Sequence, residues 1–423
     1  MARFTRRRLL HLAGSAVAWP LLNKFHSLAA PWRRKVKITD IKDMTLQGGR
    51  TYNLVKVETD AGVHGIGEAY GSPGVGVKEG ILLDLKNWLV GKDPLEIEAL
   101  YTHMGRGTAN LSGTRTEGSA HQLIRAVSGI EIALWDLAGK LLDVPVATLL
   151  GGKYRDKVRM YCHESPRNML DKASCREWAQ RVKQHPSGWT AFKFGFGHTK
   201  PETDKARDLS NRMLTSQELH NVAKGFENCR EAIGPEADIM VHCHWEYNLP
   251  TAIQIAKAIE PMNPFCLEDP LSVDYSESWL RLVNSTRVPI LMGENLDRRE
   301  RFKDFIVNQA CDIVQLDVRN TGGLLESKKI ADLAHTFNLP MTAHNTGSLI
   351  CVMATAHWAA SVRDFIAAES VLGKGDWMDN IVLREGPLYK DGYYTLPDKP
   401  GLGIELNQEV VEAHLAPGEK WWG

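Results

Sequence analysis

Ile239-Met240-Val241-His242-Cys243-His244 is a short apolar run that ends on two histidines, and the same shape returns at Phe265-Cys266-Leu267-Glu268-Asp269 and at Ile290-Leu291-Met292-Gly293-Glu294. Runs this brief, bounded by turn-forming residues, read as strands buried on both faces. From His242 to Glu268 is 26 residues, and from Glu268 to Glu294 is 26 again. One strand, one helix and two loops fill such an interval, which is the period of a β/α unit. Equal spacing predicts equal height for the three polar side chains in the barrel.

Working outward, similar runs occupy residues 158–160, 191–196, 313–318, 341–345 and 365–369, with helical stretches between them. Eight β/α units predict an α/β fold closed as a (β/α)8-type barrel, a modified TIM barrel, with its chemistry at the C-terminal ends of the strands. Those ends carry Lys193, His242, His244, Glu268, Glu294, Asp317, His344 and Glu369, more ionisable groups than packing alone explains. His242, Glu268 and Glu294 are the candidate metal ligands. Acidic oxygen donors favour a hard cation such as Mg2+.

Upstream of the barrel, residues 36–46 and 52–59 alternate as strands and a third runs through Ile66 after the turn Asp60-Ala61-Gly62, an antiparallel meander. Helical segments are predicted near 80–90 and 94–104, and the glycine-containing stretches 71–80 and 105–118 read as loops over the site. Gly74-x-Gly76 completes neither a phosphate loop nor a dinucleotide fingerprint. Ile130, Leu134, Leu137 and Leu141 recur at helical spacing, and that helix ends before Asp143-Val144-Pro145. Gly151-Gly152 marks a boundary. The expected division is an N-terminal α+β capping domain over 31–152, the barrel over 153–374, and a segment over 375–423 that returns to complete the capping domain.

The 423 residues are 43% hydrophobic and 24% charged, enough to bury a large two-domain core. Lys plus Arg and Asp plus Glu balance at 51 each, and no basic tract lies beyond the extreme N-terminus, so nucleic acid is not an expected partner. Seven cysteines, widely spaced and without a C-x-x-C pair, argue against a disulfide scaffold or zinc ribbon and predict mostly buried fillers. Residues 1–30 place Arg6-Arg7-Arg8 before an apolar stretch over 9–22 and a small-residue end at Leu28-Ala29-Ala30, which resembles a twin-arginine export signal. Spanning a bilayer takes ~20 apolar residues, so a permanent anchor is not expected, and a periplasmic enzyme is. The alternative is a basic leader on a cytoplasmic one. The polar stretch over 197–211 exceeds a usual β/α loop and serves either to cover the site or to join subunits of an expected homo-oligomer.

Gly65-x-Gly67-Glu68-Ala69, Ala133-Leu134-Trp135-Asp136, Leu149-Leu150-Gly151-Gly152, Leu267-Glu268-Asp269-Pro270, Gly293-Glu294, Gln315-Leu316-Asp317 with Gly322-Gly323, and Pro400-Gly401-Leu402-Gly403 follow one another in this order. In order and spacing the chain resembles the mandelate racemase/muconate lactonizing enzyme-like subgroup of the enolase superfamily, and within it the acid sugar dehydratases of the galactonate and mannonate type. The resemblance covers residues 36–423. It implies abstraction of the proton next to a sugar acid's carboxylate with a divalent metal, Mg2+ in the family, to give a 2-keto-3-deoxy product. Glu268 and Glu294 match the family's metal-ligating glutamates, and Asp317 and His344 match its Asp-His dyad, with His344 as base. A carboxylate beside an imidazole fixes its tautomer and stabilises its cation. Lys193 would add positive charge beside the substrate carboxylate, and His244 would protonate the departing 3-hydroxyl; Glu369, ending the eighth run, is a further catalytic candidate, and both it and Lys193 have the alternative of pairing with a neighbour.

Two departures stand out. Lys193-Phe194-Gly195 lacks the second lysine of the racemases, which favours one-base elimination. His242 stands where relatives carry an aspartate, and a neutral nitrogen ligand shifts preference towards Mn2+, Fe2+ or Zn2+. Strand alternation puts His242 and His244 on one face with Cys243 opposite. His-x-His also marks zinc amidohydrolases, but the further histidines of that pattern are missing. Asp269 reads as a turn residue, and Trp245 and Trp377 either line the pocket or pack at domain contacts. An epimerase or cycloisomerase of a related acid, or a catalytically silent sugar-acid binder, are the alternatives.

Overall fold

The computed structural model describes residues 35–422 apart from 72–76, 113–116, 197–211, 371–376, 385 and 387–388, and gives the backbone alone for 106–112 and 117–121. The leader read at 1–30 and the loop read at 197–211 lie outside the described residues, as does the middle of the 71–80 stretch.

Three antiparallel strands come first: β1 (Ile38–Gln47), β2 (Thr51–Thr59) and β3 (His64–Ala69). Alternation along β2 decides what the sheet touches. Tyr52 and Leu54 join the apolar core of the barrel, whereas Val55 and Val57 join a second core with Ile130, Leu134 and Leu137. The sheet is therefore buried on both faces, with the barrel on one side and helices on the other. Those helices are a helical stretch over 77–89, Ile97–Ser112 and Glu117–Leu142. The last of them ends as the sequence predicts, where Asp143 turns left-handed ahead of Pro145.

The reading of 105–118 as a loop is corrected: the helix Ile97–Ser112 runs through Gly105, and the next helix begins at Glu117. A helical glycine costs only about 1 kcal/mol relative to alanine. Leu100 and Met104, buried in the second core, hold that helix in place.

Glycines let β3 lie directly on the helix Glu117–Leu142. A Cβ on Gly65 would stand 2.0 Å from the Ala133 carbonyl oxygen, and one on Gly67 2.3 Å from that of Gly129.

Eight parallel strands follow: β4 (Lys157–Cys162), β5 (Ala191–Gly195), β6 (Asp238–His242), β7 (Cys266–Glu268), β8 (Ile290–Met292), β9 (Ile313–Leu316), β10 (Met341–Ala343) and β11 (Phe365–Ser370). Pairing of Glu369 with Tyr161 and of Ser370 with Cys162 closes β11 on β4. A helix follows each of the first seven strands. After β11 the described residues form a short 3-10 turn, Trp377–Asn380, four small strands, β12 (Val382–Leu383), β13 (Tyr389–Lys390), β14 (Tyr393–Thr395) and β15 (Glu405–Leu406), and a short helix, Gln408–Glu412.

This last segment touches both halves of the molecule. β14 pairs antiparallel with β4 of the barrel. Farther on, Gln47 N donates to His414 O and Ala416 N to Thr45 O, each at 2.9 Å, so the chain runs along the edge of β1. All seven cysteines are buried and free. No helix among the described residues is long and apolar enough to cross a membrane.

Candidate active site

His242 closes β6, Glu268 closes β7, and the two are register partners. Glu294 is not level with them. Glu268 pairs with Leu291, so Glu294 lies beyond the end of β8, and the expectation of equal heights fails for the third residue. Gly293 explains how it still arrives: at φ 126° the chain turns in a region few side chains adopt, and a Cβ there would meet the Gln315 carbonyl oxygen at 2.3 Å. One ligand atom from each of His242, Glu268 and Glu294 lies within 4.8 Å of the other two.

His242 Nδ1 and Glu268 Oε2 are 3.4 Å apart, and both are buried without a hydrogen-bond partner. Leaving two such atoms unsatisfied is costly, and a cation that takes both lone pairs removes the cost. Burial pushes His242 down to about 3, which keeps its imidazole neutral and able to ligate. The residues present therefore fit a divalent metal.

Lys193 reaches across the barrel floor. Its Nζ is 3.1 Å from Glu268 Oε1, 3.1 Å from Glu369 Oε2 and 3.4 Å from Glu294 Oε2. Burial opposes the ammonium charge, but these carboxylates outweigh it and hold the lysine well above its usual value. Burial also works to raise Glu369, yet Lys193 and His344 bring it down to about 2, so it stays ionised. Asn345 N donates to Glu369 at 3.2 Å.

His344, just past β10, bonds through Nδ1 to Asp317 Oδ2 at 2.8 Å. Asp317 is ionised, so Nδ1 carries the hydrogen. The other ring nitrogen, Nε2, stands 3.7 Å from both Glu294 Oε2 and Glu369 Oε2 and so faces the metal-ligand group. Burial disfavours the imidazolium, but Glu294, Glu369 and Asp317 together raise His344 to about 10.

The sequence reading missed Arg319. Its backbone N donates to Asp317 Oδ1 at 2.8 Å, its Nε to the same oxygen at 3.1 Å and its Nη2 to Oδ2 at 2.7 Å. Against burial, this guanidinium is what chiefly holds Asp317 well below the usual carboxylate range. The available signal was an arginine two places after a buried acidic strand end.

His244 departs from the strand reading. β6 stops at His242, and His244 (φ 52°) and Trp245 (φ 59°) are consecutive left-handed residues, a strained turn of the kind found at functional sites. The turn still sets the His244 ring 3.7 Å from that of His242, exposed at the mouth. Here a cavity of about 260 Å3 is lined by His163, Phe194, Gly195, His242, His244 and Tyr247, among others. Trp245 lies edge-on to both histidine rings, whereas Trp377 stacks on His414 at 4.1 Å and belongs to the domain contact. Asp269 is a left-handed turn residue whose Oδ1 accepts from Gly293 N at 3.3 Å.

The chain is similar to known proteins over nearly its whole length. Residues 33–151 match the mandelate racemase / muconate lactonizing enzyme N-terminal domain, and residues 174–410 match the enolase C-terminal domain-like family. D-xylonate dehydratase of Haloferax volcanii is 38% identical over 391 residues, covering 91% of this chain and 90% of that one. D-galactonate dehydratase of Pectobacterium atrosepticum is 28% identical, covering 91% and 96%. Among solved structures, a mandelate racemase/muconate lactonizing enzyme-like protein of Rubrobacter xylanophilus superposes with a TM-score of 0.83 at 31% identity, covering 92% and 99%. An enolase superfamily member of Salmonella Typhimurium gives 0.79 at 26% identity, covering 90% and 98%. With both halves matched in order over nearly the whole chain, the protein belongs to the mandelate racemase/muconate lactonizing enzyme family of the enolase superfamily.

Proposed function

We propose that the protein is a hydro-lyase that dehydrates a sugar acid of the aldonate type to its 2-keto-3-deoxy acid, with D-xylonate the first candidate because the 38% identical relative bears that name. The observation that carries the reading is the Asp317–His344 pair, whose second ring nitrogen, Nε2, faces the His242, Glu268 and Glu294 group, 3.7 Å from Glu294 Oε2.

His344 takes the proton from the carbon next to the carboxylate through Nε2, while Asp317 holds Nδ1–H and stabilises the imidazolium. General base help of this kind contributes ~10²–10⁴-fold. His242, Glu268 and Glu294 would hold a divalent cation, which when bound would supply positive charge for the substrate carboxylate and offset the carboxylate field that otherwise keeps His344 protonated. Lys193 and Glu369 form the floor, the lysine balancing the excess negative charge of three acids. His244, at the open mouth, donates a proton to the departing 3-hydroxyl and regains it from solvent.

Elimination is favoured over two-base epimerisation by Gly195, where racemases carry a second lysine. A Cβ there would lie 2.9 Å from the His242 carbonyl oxygen, so the backbone occupies that space. Export of the mature chain and assembly as a homo-oligomer belong to the same proposal, checked by cell fractionation and light scattering.

The test is a sugar-acid library, D-xylonate and D-galactonate included, offered with Mg2+, Mn2+, Fe2+ and Zn2+ in turn and read as 2-keto-3-deoxy product. His344→Asn should lower kcat by at least ~10²-fold with little change in KM. Retention of turnover in that variant would sink the dyad assignment. Absence of product with every acid, and of bound metal, would favour a silent binder.

A further inference from the structure

Asp317 is gripped by Arg319, and Arg319 is gripped from the other domain. The guanidinium is buried, with 2% of its surface exposed, and it donates through Nη1 to Glu68 Oε1 at 3.0 Å and through Nη2 to Thr346 Oγ1 at 3.3 Å. Glu68 lies near the end of β3 in the capping domain and is wholly buried. Its other oxygen accepts from Ser348 N at 2.9 Å and from the Ser348 hydroxyl, so it also pins the segment that follows His344.

Two residues farther along, the Tyr70 ring takes the Arg319 guanidinium at 4.6 Å and that of Arg125, from the capping helix Glu117–Leu142, at 4.4 Å. Arg125 Nε donates to Asn320 Oδ1 at 3.0 Å, and Asn320 Nδ2 donates to the Glu294 carbonyl at 3.0 Å. The capping domain thus reaches both the dyad and the third metal-ligand candidate through adjacent residues, Arg319 and Asn320.

We propose that Arg319 is a positioning residue through which Glu68 and Tyr70 of the capping domain fix the Asp317–His344 dyad, so that docking of the capping domain aligns the base as well as covering the substrate. The inference rests on the assignment of His344 as base. Its physical ground is the count of donors on Asp317. Oδ1 receives Arg319 N and Nε, and Oδ2 receives Arg319 Nη2 and His344 Nδ1. Take away the side-chain donors and the carboxylate is free to rotate, and the imidazole loses the acceptor that fixes its ring plane. Take away the charge of Glu68 and Arg319 is drawn wholly onto Asp317, away from the geometry that serves His344. A buried cation shared by two carboxylates has no alternative partner in water.

The experiment uses the full chain loaded with Mg2+ and compares wild type with Glu68→Gln, Arg319→Lys and the double variant. Kinetics are measured on D-xylonate or whichever acid the library yields, with thermal unfolding alongside. Independently of turnover, the downfield proton resonance of His344 Nδ1–H is recorded by NMR and assigned by its loss in His344→Asn. Each single variant should lower kcat by roughly ten- to a hundredfold with KM within about threefold. The double variant should be no worse than Arg319→Lys, and the resonance should shift or broaden in all three.

Unchanged kcat together with an unchanged resonance in Glu68→Gln overturns the proposal, as does a loss that is strictly additive in the double variant. Should Arg319→Lys fail to fold, the nearly isosteric Glu68→Gln still decides by the same criteria. Should wild type turn over no acid, the dehydratase reading falls, while the resonance still reports whether Glu68 holds the Asp317–His344 bond.

Discussion

His242 puts an imidazole at the strand end where the family resemblance implies a carboxylate. The substitution is accommodated in place: the ring is buried, neutral and 3.4 Å from a carboxylate oxygen of Glu268 that has no other partner. Restoring the acid should restore the harder preference. His242→Asp is expected to tighten Mg2+ and weaken Zn2+ by roughly tenfold each, measured by calorimetric titration of the metal-free protein. Most of the candidate site is legible one residue at a time, because a polar group at the end of an apolar strand is conspicuous. Arg319 is not, since what makes it matter is Glu68, 251 residues away in the chain. Nor is the posture of His244, whose left-handed turn has no signature in a run of strand-forming residues.

At the scale of elements, the barrel strands announce themselves because each is short, apolar and punctuated, and each of the eight runs coincides with an observed strand. The helix through Gly105 hides, since local propensity argues for a break and only burial of Leu100 and Met104 overrides it. The contact between β3 and the helix Glu117–Leu142 depends on absent side chains. Gly67→Ala would place a methyl group 2.3 Å from the Gly129 carbonyl oxygen and 2.7 Å from Ala133 N, helix backbone with nothing flexible to yield. The expected cost is ~2–4 kcal/mol, read as a lower midpoint in thermal unfolding. Because Glu68 follows Gly67 on that strand, kcat should fall in the same variant before the protein unfolds.

Across the whole molecule, three distant segments meet at Asp43: β1, the helical stretch beginning at Val77, and the C-terminal segment at Glu419. Lys78 approaches the carboxylate only to 3.9 Å and is bonded to Glu419, while both Asp43 oxygens are buried without a hydrogen-bond partner. Burial first of all, opposed by Lys78 and aided by Glu419, pushes Asp43 up to about 7 from 3.8. A raised folded-state value means that the favourable contribution is complete below the unfolded value and is lost as pH climbs through about 7. Wild type should therefore lose on the order of a few kcal/mol between pH 4 and pH 8 at this site, and Asp43→Asn should flatten that slope in denaturant unfolding measured across the range.

The pairing of residues 414–416 with β1 also bears on how the protein is made. Thr45 N and its acceptor Glu419 Oε2 are separated by 374 residues, so β1 leaves the ribosome long before the segment that edges it exists. During that interval the first sheet shows an open row of backbone donors and acceptors, the kind of edge on which nascent chains associate wrongly. Until residues 414–416 arrive, only chaperones or the rest of the nascent chain can cover that edge.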